Sequence, residues 1–260
     1  MLEPIWNDKP ETASRLRGRI EAVLAAAQVK GWINVDKPNP ARWKNWLDQT
    51  LAPPKKLGVR GHHAAMKYTD LPAFWARLSE TPGVAARALM FLILTATRTT
   101  ETLGAQWDEI NFRAETWLIP KERMKTGEAF SVPLSEAALR ILADQMGHRG
   151  KNPHIFAGRP REPLSGMAMA MLLSRMGESV TVHGFRTSFR TWCSDIAHVE
   201  FEVAESCLSH RVGSAVSRAY ARSDMLDRRR PIMAAWANYV EGKDNVIALK
   251  RRVRAPHRRA

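Results

Sequence analysis

The chain has 260 residues, is 45% hydrophobic and carries a formal net charge of +14 with a pI near 10.4. That apolar content suffices for one substantial core plus a smaller unit and excludes a disordered chain, while the charge points to a negatively charged polymer or surface as partner. Residues 1–60 carry +5, the last 11 residues "KRRVRAPHRRA" carry +6, and the long middle only +3, so a near-balanced folded body lies between basic ends.

In chain order, the start "MLEPIWNDKPE" lacks a basic region followed by an apolar core and does not read as a secretory signal. "KPETASRLRGRIEAVLAAAQVKGW" predicts a helix capped by Thr12 or Ser14, striped by Leu16, Ile20, Val23 and Leu24, and ended by Gly31. "NPARWKNWLDQTL" predicts a second, short helix started by Asn39–Pro40. "LAPPKKLGVRGHH" reads as a linker. "TDLPAFWARLSE" and "TPGVAARALMFLILTAT" predict helices capped by a Thr and started near a Pro, the second apolar on almost every face and so the central buried helix. Its run "ALMFLILTA" is too short to span a bilayer, and no membrane partner is expected.

"TWLIP" and "AFSVPL" predict short strands around the polar turn "KERMKTGE". Helices follow over "SEAALRILADQM" with Ser135 as cap, over Met167–Met176, over "VTVHGFRTSFRTWCSD", and over "EFEVAESCLSH", "SAVSRAY" and "MLDRRRPIMAAWANYV". The fold class is mainly α with a small antiparallel β hairpin, an α+β protein without βαβ alternation or internal repeats. We expect a partial helical region and linker over 1–60, a main domain over 61–245 and a basic, disordered tail over 246–260.

Cys193 and Cys207 supply no disulfide framework and read as buried free thiols in a reducing cytoplasm. His148, His154 and His198 have no partner at metal spacing, and no metal or nucleotide-cofactor motif is seen, so no cofactor is expected. Arg98 follows the most apolar helix, where a guanidinium needs an anion: either Glu101 or Glu109, or a phosphate in a cleft. Lys121, Arg123 and Lys125 occupy the hairpin, whose tip is either solvated or the carrier of a mobile acid. His183, Arg186 and Arg190 share a helix with Phe185, Phe189 and Trp192. Tyr220, one of three tyrosines, is a core or interface residue unless cations assist its ionisation.

Arg98 in "TATRTTETLGAQW", Lys125 in "RMKTGEAFSVPLS", His183 and Arg186 in "HGFRTSFRTW", His210 in "LSH" and Tyr220 in "AYAR" stand in one order. Together they resemble the catalytic domain of the tyrosine recombinases, the phage integrase family, over roughly residues 62–240, with a likeness to integrases of prophages and genomic islands. The resemblance implies the tyrosine-recombinase catalytic fold and metal-independent phosphoryl transfer. Tyr220 is then the nucleophile that forms a 3′-phosphotyrosyl bond, and Arg98 and Arg186 hold the non-bridging oxygens. Lys125 protonates the leaving 5′-oxygen, His183 helps take the tyrosine proton, and His210 donates to the phosphate. Glu101 is assigned to positioning, Arg123 and Arg222 to phosphate-facing or structural roles, and Arg190 to a supporting or solvent-facing role.

The same resemblance implies double-stranded DNA with an attachment core as partner, a homo-tetramer on DNA that is a monomer free in solution, DNA-bending accessory proteins, and integration or excision of a mobile element in the bacterial cytoplasm. Two other readings share the residues: a DNA-binding member of the fold with lost catalysis, and a type IB topoisomerase-like enzyme. Integrases of this kind carry a complete core-binding domain upstream, and residues 1–60 resemble only its end. We therefore expect a truncated gene product, a fragment or a chain with its upstream part removed, which binds DNA weakly. The segment after Tyr220 either docks on a neighbouring protomer, as is common in the family, or packs on its own domain.

Overall fold

Residues 2–53, 64–210 and 225–243 are described by a computed structural model, and the chain divides into two units, 1–62 and 63–260. In the first, α1 (Glu3–Trp6) leads into α2 (Pro10–Val29). Pro10 fits the first helical position because no N–H is required there; neither Thr12 nor Ser14 caps, and Lys9 holds the cap position. At the far end, Gly31 takes φ 70° and Trp32 N–H donates to Ala27 O (2.9 Å), a Schellman closure. The expected stripe is not buried: Ala13 is the only buried residue of α2, and Leu16 and Val23 are exposed.

The short helix expected over 39–51 is replaced by turns and a single 3-10 turn, Leu47–Gln49. Side chains outcompete the helical ladder there. Asn39 Oδ1 accepts from Ala41 N–H (3.0 Å), Asp48 accepts from the backbone of Asn45 (3.1 Å) and Trp46 (3.0 Å), and Asn45 sits at φ 59°. Trp6 holds the segment in place, stacking on Trp43 and donating Nε1–H to Ala52 O (2.8 Å).

The second unit contains α3 (Leu71–Glu80), α4 (Val84–Thr95), α5 (Thr99–Leu103), the strands β1 (Ile110–Asn111), β2 (Thr116–Ile119) and β3 (Phe130–Pro133), then α6 (Glu136–Gly147), α7 (Ala168–Arg175), α8 (Gly184–Asp195), α9 (Phe201–Cys207) and α10 (Leu226–Val240). α4 is the central helix, with nine of its residues buried and α3, α6, α7 and α10 packed around it. The expected Thr caps are absent on both α3 and α4: Asp70 and Gly83 hold those positions without side-chain caps, Gly83 at φ 99°. Ser135 does cap α6, accepting from Ala138 N–H (3.3 Å).

The sheet is antiparallel in the order β1-β2-β3, with Trp117 opposite both Ile110 and Val132. β2 alternates as a half-buried strand should: Trp117 and Ile119 face the core, and Trp117 meets Phe91 of α4 (centroids 5.4 Å), while Leu118 faces solvent. β1 was not foreseen, since two residues carry no period.

α10 packs on its own unit, against α3, α4, α6, α9 and β3. Its Trp236 is fully buried between Phe189 (5.4 Å) and Trp192 (5.2 Å) of α8, and donates Nε1–H to Ile93 O (2.7 Å) in the last turn of α4. Helix ends leave such carbonyls without a partner, so α10 satisfies one of the terminal carbonyls of the central helix. Cys193 and Cys207 are buried and free, and burial pushes the Cys207 thiol up to about 12.

Candidate active site

α4 ends in an abrupt turn. Ala96 adopts the left-handed conformation (φ 51°, ψ 27°), which costs a residue with a Cβ about 1–2 kcal/mol and reverses the chain into the α5 start. The turn is held by buried hydroxyls, Thr95 to Thr97 (2.9 Å) and Thr97 to Thr102 (2.8 Å). Arg98 then occupies the N-cap of α5. Glu101, one turn on and almost completely buried, accepts from the Arg98 backbone N–H (2.7 Å) through one oxygen and pairs with Nη1 (2.6 Å) through the other. The carboxylate thus fixes both ends of the arginine, while Nη2 reaches Ser209 O (3.4 Å).

Arg186 comes from the first turn of α8, where Gly184 allows a close backbone approach. A Cβ at Gly184 would lie 2.3 Å from Ala64 O and 2.8 Å from Ala65 Cα. The 64–66 segment crosses there, tied by Thr181 N–H to Ala64 O (2.8 Å) and by the Ser188 hydroxyl to Met66 O. His183 is the N-cap residue of α8 and is exposed, and its carbonyl accepts from Arg186 N–H (3.1 Å). Phe185, Phe189 and Trp192 anchor the helix in the core.

The Arg186 side chain is only 3% exposed. Nη1 donates to Ala96 O, the carbonyl aimed by the left-handed turn, and Nη2 to Leu208 O (2.7 Å) and His210 Nε2 (3.0 Å). Its Nε finds no hydrogen-bond partner among the described residues. Burial and, next, the Arg98 charge push this guanidinium down to about 10, against the upward pull of Glu101 and Glu205. Among the described residues the pocket sets the guanidiniums of Arg98, Arg186 and Arg190 against the carboxylates of Glu101 and Glu205, a balance that favours an anion.

His210 arrives from α9 through a second Schellman closure. Ser209 takes φ 52°, its N–H donates to Ser206 O (3.1 Å), and His210 N–H donates to Glu205 O (3.0 Å). This geometry sets the residue two past the cap over the residue three before it. Glu205 Oε2 lies 2.6 Å from His210 Nδ1, and its Oε1 accepts from Arg190 Nε (2.5 Å); Arg190 also covers the Phe201 ring (4.9 Å). An arginine can only donate, so His210 Nε2 accepts from Arg186, and Nδ1 carries the proton shared with Glu205. Burial pushes the Glu205 carboxyl up, but the bonds from His210 and Arg190 outweigh it and hold the group below its ordinary value.

Arg98, Arg186 and His210 thus converge from the starts of α5 and α8 and the end of α9. Lys125 is exposed in the β2–β3 connection beside the buried Met124, and no hydrogen bond or ion pair joins it to that trio among the described residues. Tyr220 lies outside the described residues, as do His62, His63, Arg222, the "SAVSRAY" helix and the 246–260 tail. Arg123 is structural, binding Glu109 and Glu101 O (3.0 Å). Of the two carboxylates open to Arg98, Glu101 pairs with it, and Glu109 instead receives Arg123 and Trp117 Nε1–H (2.9 Å). His148 and His198 are exposed, and His154 is partly buried with Nδ1 near Asn152 Oδ1 (3.1 Å).

Glu205 and Ala96 were missed as contributors. A left-handed alanine leaves no sequence signal. Glu205 could have been found from "ESCLSH" only by recognising a Schellman closure with serine in the place glycine usually fills.

A model of the phage integrase family matches residues 67–226, and one of the phage integrase central domain matches residues 1–45. The chain is 33% identical over 242 residues to prophage integrase IntA of Escherichia coli, covering 90% of this chain and 56% of that protein. It is 31% identical over 252 residues to prophage integrase IntZ of Escherichia coli, covering 95% and 59%. The chain spans a little over half the length of these curated relatives. Among solved structures, a lambda integrase dimer bound to a COC′ core site shares the fold with a TM-score of 0.57 at 18% identity, over 81% of this chain and 76% of that one. A lambda integrase tetramer bound to a Holliday junction does so with 0.57 at 17%, over 82% and 63%.

Proposed function

The chain belongs to the phage integrase family, and on that premise we propose that residues 61–245 form the catalytic domain of a site-specific DNA recombinase. Residues 1–60 are then a partial core-binding region, and 246–260 a basic tail that contacts the DNA backbone. The observation that carries the reading is the convergence of Arg98, Arg186 and His210, with Arg186 buried and Arg98 and Arg186 both reaching the backbone just before His210. Two guanidiniums from different helices can hold two non-bridging oxygens of one phosphate and offset the charge gained at the pentavalent transition state.

In this reaction the Tyr220 oxygen attacks the scissile phosphorus, with His183 helping to take its proton. The P–O5′ bond breaks, and the leaving oxygen takes a proton from Lys125, giving a 3′-phosphotyrosyl bond and a free 5′-hydroxyl. His210 donates Nε2–H to the phosphate once Nε2 has taken up a proton and Arg186 has turned to the incoming anion. A 5′-hydroxyl from a second duplex reverses the sequence and completes strand exchange without a nucleotide cofactor. The phosphotyrosyl bond retains the free energy of the broken linkage, so charge neutralisation by side chains is the main demand on the protein. The lambda integrase complexes, a dimer on a core site and a tetramer on a Holliday junction, support double-stranded DNA as substrate and a homo-tetramer as the working assembly; we propose that it forms in the cytoplasm from monomers.

The test is a nicked duplex carrying a candidate attachment core. A covalent protein–DNA adduct that disappears in Tyr220→Phe is the expected result. Absence of an adduct from every core tried, alongside an active integrase control, would overturn the reading.

A further inference from the structure

Glu205 has no part in the sequence motif, yet it binds His210 of the converging trio and Arg190 of α8. Its Oε2 meets His210 Nδ1 at 2.6 Å, its Oε1 meets Arg190 Nε at 2.5 Å, and its side chain is 15% exposed. Among the described residues, the charged groups facing this arrangement are Arg186 and Arg190 from α8 and, across the pocket, Arg98 and Glu101 at the start of α5. A carboxylate accepts and does not donate, and an arginine donates and does not accept. His210 lies between one of each, so its neutral ring satisfies both neighbours only with the proton on Nδ1.

We infer that Glu205 is a positioning residue of the proposed cleavage reaction, pinning His210 as the Nδ1–H tautomer so that Nε2 faces Arg186 and the phosphate. The inference rests on the recombinase reading for its consequence but not for its geometry. With the opposite tautomer, Nε2–H would point at Arg186 Nη2–H, donor against donor, and the guanidinium would lose its place between Ala96 O and Leu208 O. The anchor also prepares the working state. When a phosphate oxygen engages Arg186 and Nε2 takes a proton from solvent, the ring becomes a cation whose counter-charge is already in hydrogen-bond contact. Arg190, stacked on Phe201, holds the other carboxylate oxygen and sets the plane of the group.

The experiment uses the whole chain, labelled with 15N at histidine, and reads the His210 tautomer without DNA near pH ~9, where an ordinary imidazole is neutral. The His210→Asn spectrum identifies the signal. The wild type is expected to show Nδ1–H, and an Nε2–H wild type would overturn the inference at once.

Glu205→Gln keeps the shape but has one acceptor oxygen, which Arg190 claims. The amide NH2 then faces His210, the tautomer inverts, and the single-turnover rate of Tyr220 adduct formation falls at least about tenfold at unchanged DNA affinity. Arg190→Met combined with Glu205→Gln frees that oxygen for His210, so Nδ1–H and most of the rate return. A merely structural carboxylate would give the opposite, since the double variant loses two more contacts.

An unchanged tautomer in Glu205→Gln, an unchanged rate with an inverted tautomer, or a double variant that restores neither would each overturn the inference. A wild type that forms no adduct would overturn the recombinase reading and the cleavage role together. The tautomer measurements would still decide whether Glu205 orients His210, so the two failures are distinguishable.

Discussion

His210 is bound twice to Glu205, through its backbone N–H to the carbonyl (3.0 Å) and through Nδ1 to the carboxylate (2.6 Å). The backbone bond closes α9 and the side-chain bond orients the imidazole, so one helix terminus performs both tasks. A Schellman closure ordinarily brings two apolar side chains together at these positions. Here the same geometry joins an acid to a base.

That contact makes stability depend on pH on the acid side. The Glu205 carboxyl is held below its ordinary 4.5 in the folded chain. Its stabilising contribution is therefore complete above pH 4.5 and is lost as pH falls through the lower folded value. Wild type is expected to exceed Glu205→Gln by about 1 kcal/mol in urea denaturation at neutral pH. The difference should vanish under acid conditions, and a difference constant down to the lowest pH would contradict the assignment.

Ser209 carries the closure at φ 52°, where the equivalent residue after α2 is Gly31 at φ 70°. Ser209→Gly removes the Cβ penalty of the left-handed region and is expected to stabilise the protein by about 1 kcal/mol, raising Tm by roughly 2–4 °C. Differential scanning calorimetry measures this directly, and a lowered Tm would show that the serine makes a compensating bond.

Gly184→Ala acts in the other direction. Its Cβ would fall on the backbone of Ala64 and Ala65, and no side chain is available to swing aside. The 64–66 segment must move from α8, at a cost of about 1–3 kcal/mol. Loss of amide protection at Thr181, whose N–H binds Ala64 O, is the local readout in hydrogen exchange.

Arg186→Lys preserves charge and removes the fork. An ammonium cannot span Ala96 O, Leu208 O and His210 Nε2 as the planar group does. Adduct formation on a nicked core duplex is expected to fall by at least about a hundredfold. Retention of the wild-type rate would remove Arg186 from the phosphate site.

How much of this was legible in the sequence depended on whether a feature leaves a period or a motif. The α8 anchors Phe185, Phe189 and Trp192 repeat at helical spacing and are buried as a face. The short β-type runs around Trp117 and Val132 form the paired strands. Residues 39–51 misled because Trp43, Trp46 and Leu47 mimic helical spacing, while Asn39, Asn45 and Asp48 bind the local backbone instead. At the candidate site, the spacing of His183 and Arg186 was visible, and so was the Arg98–Glu101 pair one turn apart. The Glu205–His210 contact was not, because residues five apart in a helix point about 140° away from each other. Only the reversal at Ser209 brings them together.

The bond from Trp236 to Ile93 O has a consequence for the order of synthesis. The central helix leaves the ribosome before α10, and one of its last carbonyls acquires its partner only from that helix, made more than a hundred residues later. Phe189 and Trp192 likewise wait for the same indole to fill the space between them. A nascent chain that has produced Arg98, Arg186 and His210 therefore still lacks the indole that packs between α8 and the end of α4. The packing of the helix that carries Arg186 is complete only once the chain has been extended through Trp236.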